Sequence, residues 1–161
     1  MPAAPALLAV DLGLRTGLAA FAPDGRLCWY RSQNFGTAAR LRRGAAAALG
    51  ALPALSFLVL EGGGAIAEIW KREGERRGLT VRTVDAQTWR RALLLPREQR
   101  TGAGAKTAAD PLARAVIAWS GAPAPKGALR HDTAEAIGVG LWGVLQLGLL
   151  GDLPAEVARR R

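Results

Sequence analysis

Four acidic side chains stand where a cluster of carboxylates could do chemistry: Asp11, Glu61, Asp132 and Glu135. Asp11 directly follows the apolar run 7–10, and Glu61 directly follows the apolar run 57–60. Short apolar runs of this kind are typical of buried strands. If the two strands are neighbours, both acids emerge at the same edge of a sheet.

The other two acids begin a late apolar segment. Asp132 and Glu135 lie three residues apart at the head of the stretch 136–150, so they share one face of the predicted helix. Crowded carboxylates repel one another unless cations lie between them. Oxygen ligands of this kind suit Mg²⁺, with Mn²⁺ as a substitute. Two such ions about 3.5–4 Å apart would clamp a scissile phosphate for hydrolysis.

Each acid also has a purely structural interpretation. Asp11 could stabilise the turn 13–17, and Glu61, before three glycines, could be a solvated strand end. Asp132 and Glu135 match a capping box, with Asp132 as the N-cap and Glu135 at the third helical position. The metal site is favoured because it accounts for all the acids together.

The remainder of the chain is basic. Lys and Arg number 22 against 13 Asp and Glu, a formal net charge of +9. Such an excess favours a polyanionic partner, most simply nucleic acid, although an Arg- and Ala-rich genome composition would also produce it. Expected contacts to the nucleic-acid backbone are Arg90, Arg91, Arg97 and Arg100, and Trp89 or Trp70 could stack on a base.

The order of predicted elements indicates a mixed α/β sheet with helices on both faces. Strands are predicted at 6–12, 16–22, 26–33, 56–61 and 79–84, and helices at 37–50, 65–77, 85–95, 106–119 and 132–149. The first three strands form an antiparallel meander around the turn 23–25. We expect one domain over 1–150, a mobile basic loop at 97–105 and a flexible tail at 151–161.

Cysteine content and the apolar segments bear on the compartment. Cys28 is the single cysteine, which excludes an intrachain disulfide and a cysteine-based zinc site. The first five residues lack the features of a signal peptide, and the stretch 136–150 is shorter than the roughly 20 residues that span a bilayer. A cytoplasmic protein is expected.

The acids and their surroundings resemble a known family. Asp11-Leu12-Gly13 followed by Thr16-Gly17 resembles the opening motif of RuvC-like Holliday junction resolvases, in the RNase H-like nuclease superfamily. Glu61 matches that family's second acid, and the segment 131–136 resembles its closing D-x-x-D-A motif, with Glu135 in place of the second Asp. Lys106 resembles a lysine that the family places near the phosphate. The resemblance covers roughly residues 6–148.

The resemblance implies a Mg²⁺-dependent homodimer whose two sites nick opposed strands of a four-way DNA junction. Asp11 would bridge both metals, while Glu61 and Asp132 would each hold one. Glu135 would complete the second ion's shell or orient water, and Lys106 would contact the scissile phosphate or stabilise the pentacoordinate charge. His131 could assist a proton transfer or a metal, or it could be an ordinary surface residue before the helix. One departure concerns the aromatic residue that often follows the second acid, because Gly62-Gly63-Gly64 stands there instead.

Three other functions fit some of these features. An RNase H-like nuclease acting on RNA or on RNA–DNA hybrid would use the same acids. A non-catalytic nucleic-acid-binding module on the same fold would lack at least one of them. The opening motif also occurs as the phosphate loop of actin-like and sugar kinases, but those proteins have two lobes and this chain has no second copy of the motif.

Overall fold

The computed structural model describes residues 3–160, and a five-stranded mixed sheet lies at its centre. The strands are β1 (Leu7–Asp11), β2 (Arg15–Phe21), β3 (Leu27–Asn34), β4 (Phe57–Glu61) and β5 (Thr80–Val84). Their order is β3-β2-β1-β4-β5. The first three strands are antiparallel, and β4 and β5 run parallel to β1. This arrangement confirms the predicted mixed sheet.

Helices cover both faces of the sheet. They are α1 (Ala38–Gly50), α2 (Gly64–Arg76), α3 (Ala86–Leu93), α4 (Gly102–Ser120), α5 (His131–Gln146) and α6 (Ala155–Ala158), with a 3₁₀ turn at Pro96–Gln99. Side chains of α1 and α2 share one hydrophobic cluster with one face of the strands. Side chains of α3, α4, α5 and α6 share a second cluster with the other face. The central strand β1 is therefore buried from both sides.

Helix α5 lies unusually close to the sheet because glycines face it. A β-carbon on Gly140 would come within 2.0 Å of the Phe21 ring, and one on Gly143 within 2.9 Å of Val59. Gly138 lies in the same way under the ring of Trp89, at 2.6 Å. Larger residues at these positions would push α5 away from its neighbours. The glycines therefore set the short distance between the sheet and the helix that carries Asp132 and Glu135.

Two segments differ from the sequence-based expectation. Residues 97–105 are not a loop, because the 3₁₀ turn occupies 96–99 and α4 begins at Gly102 with Thr101 as its side-chain cap. The tail is not loose up to residue 160, because α6 packs Val157 into the core and Arg160 is buried. Arg160 donates hydrogen bonds to the carbonyl of Leu93, at 3.0 Å, and to the carboxylate of Glu98, at 2.8 Å.

Within residues 3–160, none of the helices has the length and apolar character needed to cross a membrane.

Candidate active site

Asp11 and Glu61 are neighbours at one edge of the sheet. They are the last residues of the adjacent parallel strands β1 and β4, and they pair in register. On the other side of Asp11 the same row continues with Gly17 on β2 and Ser32 on β3. Because side chains alternate along a strand, Asp11 and Glu61 face the side that α5 covers, as Leu7, Ala9 and Val59 do.

The first turn of α5 lies directly above this row. A β-carbon on Gly17 would be 1.9 Å from the carbonyl oxygen of Asp132, so only glycine leaves room for the helix there. The hydroxyl of Ser32 donates a 2.7 Å hydrogen bond to Oδ2 of Asp132. Strand β3 therefore orients Asp132 above the strand ends that carry Asp11 and Glu61.

Glu135 lies one turn further along α5 and is almost fully buried, with 4% of its side chain exposed. Its Oε1 atom accepts a hydrogen bond from Nη2 of Arg90 on α3 and lies 3.2 Å from Nε2 of His131. Its Oε2 atom is buried without a hydrogen-bond partner among the described residues. The Glu135 carboxyl therefore has Arg90 and His131 beside one oxygen and no partner on the other.

The capping-box interpretation of Asp132 and Glu135 is wrong. Helix α5 begins at His131, and its cap position is Arg130, without a side-chain cap hydrogen bond. Asp132 therefore lies inside the first turn instead of preceding the helix. The two carboxylates are directed to Ser32 and Arg90.

The pKa of Asp11 is raised by burial and by the neighbouring acids. Burial raises its pKa from 3.8 to about 9, and a hydrogen bond with the Glu61 carboxyl adds to this shift. The charges of Glu61, Glu135 and Asp132 raise the pKa further. The other three acids thus lie close enough to Asp11 to raise its pKa, although the four come from three different elements of the fold.

Burial also raises the pKa of Glu135. The hydrogen bond and the charge of Arg90 lower the pKa, as does His131, but they offset burial only in part. Glu61 adds to the rise through its negative charge. The charge of Glu61 therefore acts on Glu135, even though Arg90 is hydrogen-bonded to Glu135.

The donor set has the chemistry of a site for a hard divalent cation. The four acids offer only carboxylate oxygens, and one of these, Oε2 of Glu135, is buried without a partner. As the side chains stand, no group of three or more His, Cys, Asp or Glu residues within 3–160 is arranged to hold an ion. Glu135 bonds Arg90 through Oε1 and Asp132 bonds Ser32 through Oδ2, so each carboxylate keeps a second oxygen outside these two bonds.

The residues expected to contact nucleic acid fall into two groups. Four basic side chains are exposed on or near α3 and α4: Arg91, Arg97, Arg100 and Lys106. Trp89 and Trp70 are fully buried, so the expectation that either stacks on a base is wrong. Arg90 is also mostly buried, with 18% of its side chain exposed, and it is engaged with Glu135.

Two open depressions flank the acids. One, of about 530 Å³, lies beside Asp132 and is lined by Arg15, Arg130 and His131. The other, of about 550 Å³, lies between α3 and the start of α4 and is lined by Arg90 and Arg91, together with Gln99 and Thr101. Both depressions are basic.

Sequence reasoning did not single out Arg15, Arg130 or Ser32. Arg15 is the first residue of β2, four residues after Asp11, and Arg130 precedes the final acidic motif, so proximity to those motifs was an available signal. Ser32 carried no such signal, because its partner Asp132 is 100 residues away along the chain.

The close approach at Gly17 gives a stability prediction. Replacement of Gly17 by Ala should destabilise the fold by about 1–3 kcal/mol, because the new methyl group meets backbone atoms that cannot turn aside. Chemical denaturation of the two proteins measures the difference. Gly127→Ala is the matched control, since a β-carbon at Gly127 meets nothing within 4 Å. Equal stability of Gly17→Ala and wild type would mean that α5 does not press on β2 here.

Comparison with known proteins supports the fold. No family model matches the chain, and no curated protein does. Among solved structures, the chain is similar to RuvC of T. thermophilus in complex with a Holliday junction substrate. The TM-score is 0.60 at 14% sequence identity, covering 89% of this chain and 96% of the RuvC chain. The chain therefore has an RNase H-like fold of the RuvC type.

Proposed function

We propose that this protein is a divalent-metal-dependent endonuclease that cleaves four-way DNA junctions. The observation that carries the proposal is the convergence of Asp11, Glu61, Asp132 and Glu135 at one edge of a RuvC-type sheet. The solved RuvC structure, to which the chain is similar, was determined with a Holliday junction substrate. The basic depressions on either side of the acids have the charge needed to receive nucleic-acid strands.

The proposed ion ligands are Asp11, Glu61 and Asp132, with Glu135 beside them, and Mg²⁺ is the proposed ion, with Mn²⁺ as its substitute. When bound there, a divalent ion supplies the positive charge that activates water and offsets the charge of the leaving oxygen. Asp11 must release its proton before it can act as a ligand. Ser32 keeps Asp132 oriented through its hydrogen bond.

The exposed basic residues are proposed to bind the phosphate backbone. Arg91, Arg97 and Arg100 are exposed on and after α3, and Arg15 and Arg130 line the depression beside Asp132. Contacts of this kind give affinity that depends on salt and very little on sequence. Paired nicks on opposed strands require two active sites, so the proposal includes a homodimer.

A panel of labelled substrates tests the proposal. The purified protein is incubated with a four-way junction, linear duplex, a flap and an RNA–DNA hybrid, in Mg²⁺, in Mn²⁺ and in chelator. We expect paired, symmetric nicks on the junction in either metal and none in chelator. Degradation of the hybrid with an intact junction would identify a ribonuclease instead. Binding to the junction without cleavage in either metal would contradict the nuclease proposal and favour a non-catalytic binding module.

Lys106 offers a second test within the same proposal. It is exposed near the start of α4, and within residues 3–160 it has no ion-pair partner, so its charge is free for a phosphate. We expect Lys106→Ala to slow junction cleavage by about 10–100-fold, because it removes a charge that stabilises the transition state. Affinity for the junction should fall by less than about threefold, since a single phosphate contact is lost among many.

The control for this variant is Lys126→Ala, an exposed lysine in the loop before α5. It removes the same charge from the chain and should leave the cleavage rate unchanged. Equal junction cleavage rates for Lys106→Ala and wild type would mean that Lys106 has no role in cleavage.

A further inference from the structure

The segment 95–101, which connects α3 to α4, carries exposed arginines but has no apolar anchor of its own. Among the described residues, none of the side chains between Leu94 and Ala108 is buried. Arg97 and Arg100 of this segment are exposed. Segments with few buried apolar contacts are the ones that open locally. Polar contacts must therefore hold this segment in place.

One long-range contact ties the segment to the rest of the protein. The guanidinium group of Arg160 donates a 2.8 Å hydrogen bond to Oε1 of Glu98, and the same oxygen accepts a 2.7 Å hydrogen bond from the backbone N–H of Leu95. The other side-chain hydrogen bonds described for residues 95–101 join partners no more than five residues apart. Glu98 is therefore the point at which the C-terminal segment holds this connection.

Arg160 is itself fixed, with 4% of its side chain exposed. Its guanidinium group also donates to the carbonyls of Leu93 and Val157, each at 3.0 Å. Val157 lies fully buried in the core on α6. A cation that is buried among acceptors in this way is not available to a phosphate, so any effect of Arg160 on DNA binding must pass through Glu98.

The segment lies beside the acidic cluster. Gln99 and Thr101 line the basic depression together with Arg90 on α3, and Arg90 is hydrogen-bonded to Glu135. The segment 95–101 therefore lies where its exposed arginines can reach a nucleic-acid strand that is bound at the acids.

We infer that Arg160 and Glu98 position the segment 95–101 for the junction, so that Arg97 and Arg100 meet the phosphate backbone without first having to be ordered. This inference rests on the proposed function and deepens it, because it gives the C-terminal segment a part in substrate affinity. Arg160 and Glu98 are positioning residues, since neither belongs to the acidic cluster. A segment that is ordered before binding loses less conformational entropy when the complex forms. Loss of the contact should thus weaken binding and leave the cleavage step nearly unchanged.

The variant Glu98→Ala separates position from charge. It removes a negative charge, so by charge alone it would bind a polyanion more tightly. We expect instead that its affinity for the four-way junction, measured by fluorescence titration in chelator, falls about tenfold. In Mg²⁺ the KM for junction cleavage should rise by a similar factor, while kcat should fall by less than about threefold.

The control for this variant is Glu156→Ala, which makes the same charge change at an exposed acid of α6. It should bind the junction at least as tightly as wild type. Affinity of Glu98→Ala equal to that of Glu156→Ala would overturn the inference.

The variant Arg160→Gln removes the other partner of the contact. Junction affinity should again fall about tenfold, with an unchanged dependence on salt, because the buried Arg160 touches no phosphate. A salt dependence reduced by about one phosphate contact would mean that Arg160 binds DNA directly, and would overturn the inference. Arg160→Lys, which can keep the ion pair with Glu98, should recover part of the affinity. Arg159→Gln, at the exposed neighbour, is the control and should bind as wild type does.

Limited proteolysis reports on the segment in the absence of DNA. Trypsin should cut after Arg100 about tenfold faster in Glu98→Ala and in Arg160→Gln than in wild type, because an untied segment opens more often. Should Arg160→Gln fail to fold, Glu98→Ala still gives the answer, since it leaves the hydrogen bonds of Arg160 to the two carbonyls in place. Unchanged tryptic cutting in Glu98→Ala would overturn the inference and leave the nuclease proposal intact. A wild-type protein that binds the junction without cleaving it would overturn the nuclease proposal alone, and one that binds no junction would overturn both.

Discussion

Replacement of Asp11 by Asn is expected to reduce junction cleavage by at least about 10³-fold. Asp11 is the acid that every other member of the cluster influences, and it lies in register beside Glu61. The amide keeps the shape of the side chain but can never carry the negative charge that a divalent ion requires. Single-turnover cleavage of a labelled four-way junction in Mg²⁺ measures the effect. The exposed Asp152 provides the control, because Asp152→Asn makes the same chemical change outside the cluster.

The same variant should bind the junction about as well as wild type. With its pKa raised to about 9, the Asp11 carboxyl is already protonated at pH 7 in the absence of metal, so the Asn side chain changes little in the charge that faces DNA. In chelator we therefore expect affinities within about threefold of each other by a gel-shift or fluorescence titration. Cleavage by Asp11→Asn at the wild-type rate would remove the proposed site. Loss of binding together with cleavage would indicate a folding defect instead.

The part of the site that the sequence could predict depends on local patterns. Asp11 and Glu61 end short apolar runs, and the element order indicates a mixed sheet in which their strands can be neighbours. Asp132 and Glu135 are recognisable as a pair because helical periodicity places residues three apart on one face. Local periodicity cannot distinguish a capping box from a functional pair, because both need the same residue types at the same spacing. The structure separates them by starting α5 at His131.

The contacts that complete the site are long-range and leave no local pattern. Arg90 meets Glu135 across 45 residues of sequence, and in the sequence it resembles the other arginines around it. Trp89 was expected to stack on a base, yet its ring is fully buried. The ring of Trp89 fits into the core because Gly138, on α5, has no side chain in its way.

The C-terminal segment shows the same limitation. A loose tail was expected there, yet Arg160 donates to the carbonyl of Leu93, at the end of α3, and to the carboxylate of Glu98, in the 3₁₀ turn that follows. A buried arginine with several acceptors can be recognised only once those acceptors are located in space.

The metal-free protein should lose stability as the pH rises from about 4 to about 9. In this range the Asp11 carboxyl keeps its proton in the folded state, while in the unfolded state, with a pKa near 3.8, it has lost it. The folded state thus binds more protons, and the free energy of unfolding falls as pH increases, by at most about 1.4 kcal/mol per pH unit for one group. Chemical denaturation in chelator, from roughly pH 5 to roughly pH 9, measures how steeply the free energy of unfolding falls with pH.

Asp11→Asn should flatten this slope and stabilise the metal-free protein, by an amount on the order of 3–5 kcal/mol at about pH 8. Asp152→Asn should follow the wild-type curve. Mn²⁺ should act in the opposite sense to the proton, since it binds only the ionised carboxylates. We therefore expect it to stabilise the wild-type protein more at high pH than at low pH and to have little effect on Asp11→Asn. A wild-type slope equal to that of Asp11→Asn in chelator would mean that Asp11 ionises normally. The acids would then not share the single crowded pocket from which the proposed function is argued.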